Sequence, residues 1–285
     1  MNLKSSSSHK KQEPESSVLY IVGTPIGNLN DLSLRAINIL KNVSLIACED
    51  TRQTKKIMSK YEFKNNLISF NMHNSSNKTP KIIKYLKDGR SIGLVSDAGL
   101  PSICDPGEDL VKECKANGLN VICVPGPCAA LTALVSSGLP SSNFTFEGFL
   151  PKKKSEREKI LQEISNSYKT TIVYEAPHRL KRLLIELKEY CGGNRKMQVF
   201  RELTKKFEEY IGDDIDKILN FFEDKEIRGE FTIVIGGLIK PNQNDEFNKV
   251  ALKQELNELT NAGLSLSAAS KYLAKKKNLK KKRNL

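Results

Sequence analysis

The sequence has no tryptophan, only three histidines in 285 residues, and no apolar run that approaches membrane-spanning length. A transmembrane helix needs about 18 or more consecutive apolar residues, so we expect no membrane insertion. The histidines, His9, His73 and His178, lack a companion cysteine or carboxylate at ligand spacing. We therefore expect no metal site.

The six cysteines lie at irregular intervals, and no two form a Cys-x-x-Cys pair. This spacing argues against a disulfide framework of the kind that holds small secreted domains together. The first 17 residues are polar and rich in serine, without the apolar core of a secretory signal. We predict a disordered lead over residues 1–17 and a cytoplasmic protein.

Both common phosphate-binding signatures are also missing. Residues 23–28 (GTPIGN) contain two glycines without the spacing GxGxxG, and the chain has no Gly-Lys-Ser/Thr. Asp97 follows the fourth predicted strand, where its carboxylate would repel a pyrophosphate but would tolerate a sulfonium cation or accept a hydrogen bond from an amino or hydroxyl group. An ordinary turn residue is an equally good interpretation of Asp97.

Positive charge is present in excess, since 46 lysines and arginines stand against 33 acidic residues and give a net charge of +13. Residues 271–285 contain eight of these basic side chains and no acid. A basic tail on a basic chain favours a polyanionic partner, and we predict nucleic acid.

The first half of the chain repeats a strand–loop–helix pattern five times. Short apolar runs predict strands at residues 18–22, 43–47, 67–70, 91–95 and 121–124. Two of the helices that follow have a candidate cap, which is Asn30 or Asp31 for the first and Asp105, before Pro106, for the fourth. Five such units predict an α/β domain over residues 18–139, with a parallel sheet covered on both faces.

After Leu139 the pattern changes, and a second α/β domain over residues 140–240 is the simplest interpretation. Strands are predicted at residues 144–149, 171–174, 197–201 and 231–235. Because the helix predicted at residues 215–223 is short, the strands around Gly229 should pair antiparallel or lie at an edge. Residues 241–285 are predicted to form a linker and a basic helical tail.

Eight segments are more informative in their order than any one of them is alone. They read LYIVGTPIGNLNDLSLRA, IACEDTR, SDAGLPSICDPG, VPGPCAALTAL, FEGFLPKK, YEAPHRL, RELTK and RGEFTIVI. From residue 19 to residue 235 this set resembles the ribosomal RNA small subunit methyltransferase I family. The resemblance implies two α/β domains of the tetrapyrrole-methylase type, with S-adenosylmethionine in the cleft between them. It also implies a homodimeric enzyme that methylates the 2′-hydroxyl of a decoding-centre cytidine in 16S rRNA, either free or in the small ribosomal subunit.

The same resemblance implies which residues bind the cofactor. They are Pro25, Asp97, Ala98, Gly99, Ile103, Cys128 and Ala129 in the first domain, and Tyr174 and Thr232 in the second. Backbone amides at the start of the helix after Cys128 suit the methionine carboxylate. The sequence departs from the family at Leu100, where threonine is usual, and so lacks a hydroxyl at that position.

Removing the proton of the acceptor hydroxyl calls for a general base, which contributes about 10²–10⁴-fold in rate. The candidates at strand ends are Glu49, Asp50, Glu175, His178 and Glu202. We favour Glu175 or His178, which follow the strand that ends at Tyr174. Basic side chains at loop ends are predicted to contact RNA phosphates, namely Arg52, Lys152, Lys153, Arg179 and Arg201.

Two other functions stay open from the sequence. Methyltransferases that act on a tetrapyrrole or on a diphthamide precursor share the fold, and a fold does not determine a substrate. A non-catalytic RNA-binding protein would explain the basic tail but not the acidic residue at a strand end. The excess of positive charge and the segment YEAPHR favour RNA methylation.

Overall fold

The computed structural model describes residues 13–239 and 243–276, and the chain forms two compact units that meet in sequence between Leu238 and Ile239. Most of the predicted lead, the start of the predicted linker at Pro241 and the end of the basic tail lie outside the described residues. Residues 13–17 are part of the first unit. The Arg35 guanidinium donates to the Glu13 carboxylate at 2.8 Å, so this end of the expected lead is ordered.

The first sheet is fully parallel and has the strand order β3-β2-β4-β1-β5. Its strands are β1 (Val18–Val22), β2 (Leu45–Cys48), β3 (Leu67–Ser69), β4 (Ile92–Val95) and β5 (Asn120–Val124). Every residue of β1 and of β4 is buried, as expected for central strands covered on both faces. The prediction of a parallel sheet in this half is confirmed.

Five helices follow the strands of this sheet, and the first four cover its two faces. They are α1 (Leu34–Asn42), α2 (Thr51–Lys60), α3 (Ser75–Lys87), α4 (Glu108–Ala116) and α5 (Ala129–Ser136). Successive residues of a strand point to opposite faces, and β1 shows this directly. Tyr20 packs in a core with Ile39 of α1, whereas Leu19 and Ile21 pack with Leu86 of α3 on the other face.

Two predicted helix starts were wrong. The helix α1 is capped by Ser33, whose hydroxyl accepts from the Ala36 amide at 3.1 Å, and Asn30 and Asp31 belong to a short 3-10 helix before it. The helix α4 begins at Glu108, so Asp105 does not cap it. Asp105 instead lies in the loop that connects β4 to α4.

The second sheet is mixed and has the strand order β6-β7-β10-β8-β9. Its strands are β6 (Phe144–Phe149), β7 (Thr170–Glu175), β8 (Lys196–Arg201), β9 (Glu209–Asp214) and β10 (Phe231–Ile235). Only β6 and β7 pair in parallel, and the other three pairs are antiparallel, as predicted around Gly229. The edge strand β9 was not predicted, because its sequence EYIGDD is acidic and carries one buried apolar residue, Ile211.

The two faces of the second sheet have different neighbours. On one face lie α6 (Lys154–Asn166), α7 (Pro177–Cys191) and α8 (Ile215–Phe221). On the other face, Phe200 and Val234 pack against Ala133 and Leu134 of α5. The last helix of the first half is therefore buried against the second sheet, and this contact joins the two halves into one unit.

The second unit contains a helical hairpin. Its helices are α9 (Gln243–Asn261) and α10 (Leu266–Lys276), and Gly263 in the turn has a left-handed φ of +95°. Ala269 and Leu273 of α10 are buried. Among the described residues of the whole chain, no helix has the length and apolar character needed to cross a membrane.

Candidate active site

A pocket of about 360 Å³ opens between the two sheets. Its volume lies in the range of about 300–1,000 Å³ that is typical of small-molecule sites. Loops that follow β1, β4 and β5 form one wall, and the second sheet forms the other. The lining residues are Ile26, Ala98, Gly99, Leu100, Ile103, Cys104, Asp105, Cys128, Ala129, Phe149, Tyr174, Glu175, Ala176, Pro177, Phe200, Leu203, Gly229, Glu230, Phe231 and Thr232.

Seven of the nine residues predicted to bind the cofactor lie together in this pocket, namely Ala98, Gly99, Ile103, Cys128, Ala129, Tyr174 and Thr232. They come from the loop after β4, the start of α5 and two strands, which are distant in sequence. Thr232 on β10 lies directly opposite Tyr174 on β7 in the antiparallel register. Their individual roles stay predictions.

The loop after β4 is held in place by the loop after β1. The Thr24 amide donates to the Gly99 carbonyl at 2.8 Å, and the Gly99 amide donates to the Thr24 carbonyl at 3.1 Å. Gly99 has a φ of +78°, a conformation that glycine adopts without steric cost. This pair of hydrogen bonds gives the pocket a rigid rim.

A close backbone contact joins the loops after β1 and β5. A side chain at Gly126 would place its Cβ 2.7 Å from the Cα atom of Gly23. Only glycine at both positions allows this approach, which brings the start of α5 beside the loop after β1.

The start of α5 presents backbone amides to the pocket. Cys128 precedes the helix and makes no side-chain capping bond, while the Ala130 amide donates to the Tyr174 hydroxyl at 3.1 Å. The Tyr174 ring contacts Phe146 and Phe149 edge-on, with centroid distances of 5.0 and 5.6 Å. Burial raises the pKa of the Tyr174 hydroxyl, so it stays protonated at neutral pH. The uncapped helix start is suited to an anionic group.

Asp105 lines the pocket, although the sequence analysis treated it only as a helix cap. Burial, the nearby charge of Glu49 and that of Asp97 raise its pKa to about 6, against the opposing effect of a hydrogen bond from Ser96. The segment SDAGLPSICDPG contained this residue, but nothing in local periodicity separates a cap from a pocket carboxylate.

The two residues favoured as general bases do not share one environment. The Glu175 carboxylate is buried, and it forms ion pairs with Arg179 at 3.2 Å and with Arg157 at 3.5 Å. It reaches the pocket wall but is held by two guanidinium groups. His178 is exposed on the first turn of α7 and does not line the pocket.

Asp97 and Pro25 also do not line the pocket. Pro25 is buried, and the neighbouring Ile26 contributes in its place. Asp97 turns the other way, where its carboxylate accepts from the Asp50 amide at 3.0 Å and its own amide donates to the Glu49 carboxylate at 3.3 Å. Burial is the main cause that raises the pKa of both Glu49 and Asp97.

A second, more polar pocket of about 440 Å³ lies beside this acidic group. It is lined by Glu49, Asp50, Thr51, Arg52, Ser69, Asn71, Met72 and His73. In it the Arg52 guanidinium pairs with the Asp50 carboxylate and lowers the pKa of that carboxyl to about 2. The ends of β2 and β3 therefore carry a polar site in addition to the apolar one.

The five predicted phosphate contacts divide into two groups. Arg52, with 86% of its side chain exposed, and the exposed Lys152 and Lys153 are accessible to a large polyanion. Arg179 donates to the Leu150 carbonyl at 2.7 Å in addition to its ion pair. Arg201 donates to the Arg228 carbonyl at 2.6 Å and pairs with Glu209 at 3.3 Å. The last two arginines are engaged within the fold, so the structure does not favour them as phosphate contacts.

Sequence and structure comparisons point to one fold family. The family model for tetrapyrrole (corrin/porphyrin) methylases matches residues 18–218. The chain is 42% identical to ribosomal RNA small subunit methyltransferase I of Bacillus subtilis over 268 residues, which cover 93% of this chain and 91% of that protein. It is 41% identical to the Synechocystis protein of the same name over 262 residues, covering 92% and 94%. A solved uroporphyrin-III C-methyltransferase of Thermus thermophilus, in complex with S-adenosyl homocysteine, shares the fold at 14% identity and a TM-score of 0.55, over 77% of this chain and 96% of that one.

Proposed function

Because the chain belongs to the ribosomal RNA small subunit methyltransferase I family, within the tetrapyrrole methylases, we propose that it methylates 16S ribosomal RNA. The donor in this proposal is S-adenosylmethionine, and the acceptor is the 2′-hydroxyl of a cytidine ribose in the decoding centre. The observation that carries the proposal is the pocket between the sheets, which draws lining residues from seven of the eight sequence segments that resemble the family. A cytoplasmic location follows from this substrate.

The lining of the pocket fits this donor in its chemistry. Apolar side chains such as Leu100 and Phe200 suit an adenine ring, and the amides at the start of α5 suit a carboxylate. Asp105 adds negative charge, which suits a cationic donor and disfavours a phosphate-bearing ligand. When bound, S-adenosylmethionine supplies a methyl group that is already activated by a positively charged sulfur.

The residues of the chain then act mainly by positioning. Holding two reactants in the right geometry accounts for about 7–11 kcal/mol of a barrier in favourable cases. Here the hydrogen bonds between Thr24 and Gly99 hold the loops of one wall together, and the hydrogen bond from the Ala130 amide to the Tyr174 hydroxyl joins that wall to the other. The apolar lining limits the access of water to the reacting group.

A basic surface supports RNA as the acceptor. The helix α2 has no acidic residue, and Arg52, Lys55, Lys56 and Lys60 are exposed on it. Its first residues also line the polar pocket beside the cofactor pocket. We assign the phosphate contacts to this helix and to Lys152 and Lys153, since such contacts supply the salt-dependent part of RNA affinity.

The homodimer is likewise part of the proposal. Leu131 and Val135 of α5 are 47% and 75% exposed, and Phe144 of β6 is 39% exposed. Leu131 and Val135 are four residues apart and lie on one face of α5, and contiguous exposed apolar side chains are typical of protein interfaces. Light scattering on the purified protein should give twice the chain mass, and substitution of Val135 by aspartate should reduce it toward one.

The function is tested by transfer of tritium from labelled S-adenosylmethionine to small ribosomal subunits that lack the modification. Parallel reactions contain free 16S RNA, a uroporphyrinogen and an elongation factor with a diphthamide precursor. Label in the RNA, mapped to a ribose 2′-oxygen by resistance to alkaline cleavage, is expected. Label in the uroporphyrinogen or in the elongation factor would contradict the proposal and identify a different acceptor. Binding of RNA without any transfer would instead indicate a non-catalytic protein.

A further inference from the structure

The cofactor pocket contains three carboxylates, and their surroundings differ. Glu175 is held by two arginines, and Glu230 pairs with Lys205 at 2.9 Å. Asp105 forms no ion pair with any residue that the structure describes, and it is half-buried. It is therefore the carboxylate of this pocket with the greatest capacity to bind a proton.

We propose that Asp105 is the general base that accepts the proton of the acceptor hydroxyl, an inference that rests on the proposed function. In the step, the hydroxyl oxygen bonds to the methyl carbon while the carbon–sulfur bond breaks and leaves its electron pair on sulfur. The hydroxyl proton passes to the Asp105 carboxylate and then to water. Charge and atoms balance without a metal ion or a redox partner.

The loop that carries Asp105 is built in an unusual way. Ser102 and Cys104 have φ values of +72° and +63°, and Gly107 has +149°. Left-handed conformations in non-glycine residues cost about 1–3 kcal/mol each and occur mostly where a site requires them. The Ser102 hydroxyl is buried and has no hydrogen-bond partner among the residues that the structure describes, which adds to the cost of this loop. The conformation directs Asp105 into the pocket instead of leaving it as a helix cap.

Asp105 lines the cofactor pocket and lies close enough to the acids beside the polar pocket for their charges to interact. Glu49 lines the polar pocket, and Asp97 is hydrogen-bonded to that residue. Both acids act on Asp105 electrostatically, and the other titratable groups near it are Cys104 and Tyr174. A carboxylate with a pKa near 6 is ionised at neutral pH and binds a proton more readily than an ordinary aspartate.

The test uses the full chain, tritiated S-adenosylmethionine and small ribosomal subunits that lack the modification. For the wild-type protein, kcat/KM for the donor should rise with pH to an inflection near 6 and then stay constant, because the base must be ionised. Asp105→Asn should lower the single-turnover rate by about 10²–10⁴-fold and remove the inflection. Its affinity for the donor in equilibrium dialysis should fall by less than about tenfold, because losing the Asp105 charge weakens the attraction for a cation but leaves the rest of the lining in place.

Asp109→Asn, an exposed aspartate in the first turn of α4, is the matched control and should leave rate and pH profile unchanged. An Asp105→Asn rate within about fivefold of wild type, or an inflection that persists in the variant, would overturn the inference. A loss of donor affinity equal to the loss of rate would also overturn it, since that result indicates a binding role. The pH profile of the wild-type protein can be measured even if Asp105→Asn fails to fold. A wild-type profile without an inflection near pH 6 would contradict the role of Asp105. Donor binding without methylation of any acceptor would remove the proposed function itself.

Discussion

The substitution Glu175→Gln tests whether the buried Glu175 carboxylate stabilises the fold through its ion pairs with Arg157 and Arg179. The Glu175 side chain is fully buried, and the Arg157 side chain is 3% exposed. Glutamine keeps the shape but removes the negative charge, which leaves Arg157 with Glu186 alone and Arg179 without its carboxylate. Breaking a buried ion pair by removing one partner costs about 3–5 kcal/mol, because an uncompensated charge stays buried.

We expect Glu175→Gln to lower the free energy of unfolding by that amount, measured by urea titration. For a domain of this size the midpoint of thermal unfolding should fall by about 6–20 °C. Glu163→Gln removes an exposed partner that lies 4.0 Å from Lys159, and it should cost at most about 1 kcal/mol. A Glu175→Gln loss as small as that of the control would refute the buried-charge argument. The double variant Arg157→Met/Glu175→Gln should recover part of the stability, since one of the two guanidinium groups that lose the Glu175 carboxylate is then gone.

Three further predictions follow from the same contacts. Asp105→Asn should stabilise the protein by about 1–2 kcal/mol at pH 7 but not below pH 4. Burial raises the pKa of Asp105 in the folded protein from 3.8 to about 6, so the wild-type protein loses stability as the pH rises from about 4 to about 6; urea titrations at both pH values check this. Tyr174→Phe should cost about 1–3 kcal/mol, since it removes the hydrogen bond from the Ala130 amide, and should weaken donor binding in equilibrium dialysis. Gly126→Ala should abolish donor binding or folding, as followed by circular dichroism, because its Cβ would lie 2.7 Å from Gly23. Gly93→Ala, whose added Cβ would make ordinary contacts at 3.4 and 3.5 Å, should be mild.

Much of the fold was predictable because its signals are local. The apolar runs of β1 and β4 are buried on both faces, and such runs joined by amphipathic helices form parallel sheets. The residues at which helices begin were less predictable. Asn30, Asp31 and Ser33 are all good capping residues, and only the packing of Ala36 and Ile39 selects Ser33. The acidic strand β9 has no apolar alternation and is defined by its pairing with β8.

The sequence was enough to predict which segments form the site, but not how their side chains are arranged in space. Ala98, Gly99, Cys128 and Tyr174 were assigned through family resemblance, and they meet in the pocket although no local pattern relates them. Asp97 and Asp105 are eight positions apart in one loop, and their types alone do not tell which faces the pocket. The left-handed residues Ser102 and Cys104 settle this, because they turn the chain between the two carboxylates.

Residue type and spacing were thus enough to predict the alternation of strands and helices and to give the positive charge, because each of these depends on the local sequence. The family was identified from the resemblance of eight ordered segments. Packing between distant segments decided the rest. It placed α5 on the second sheet, buried Glu175 between two arginines and left Asp105 without a cation in the pocket. The electrostatic environment of a carboxylate depends on groups that are close in space, and these are often far apart in sequence.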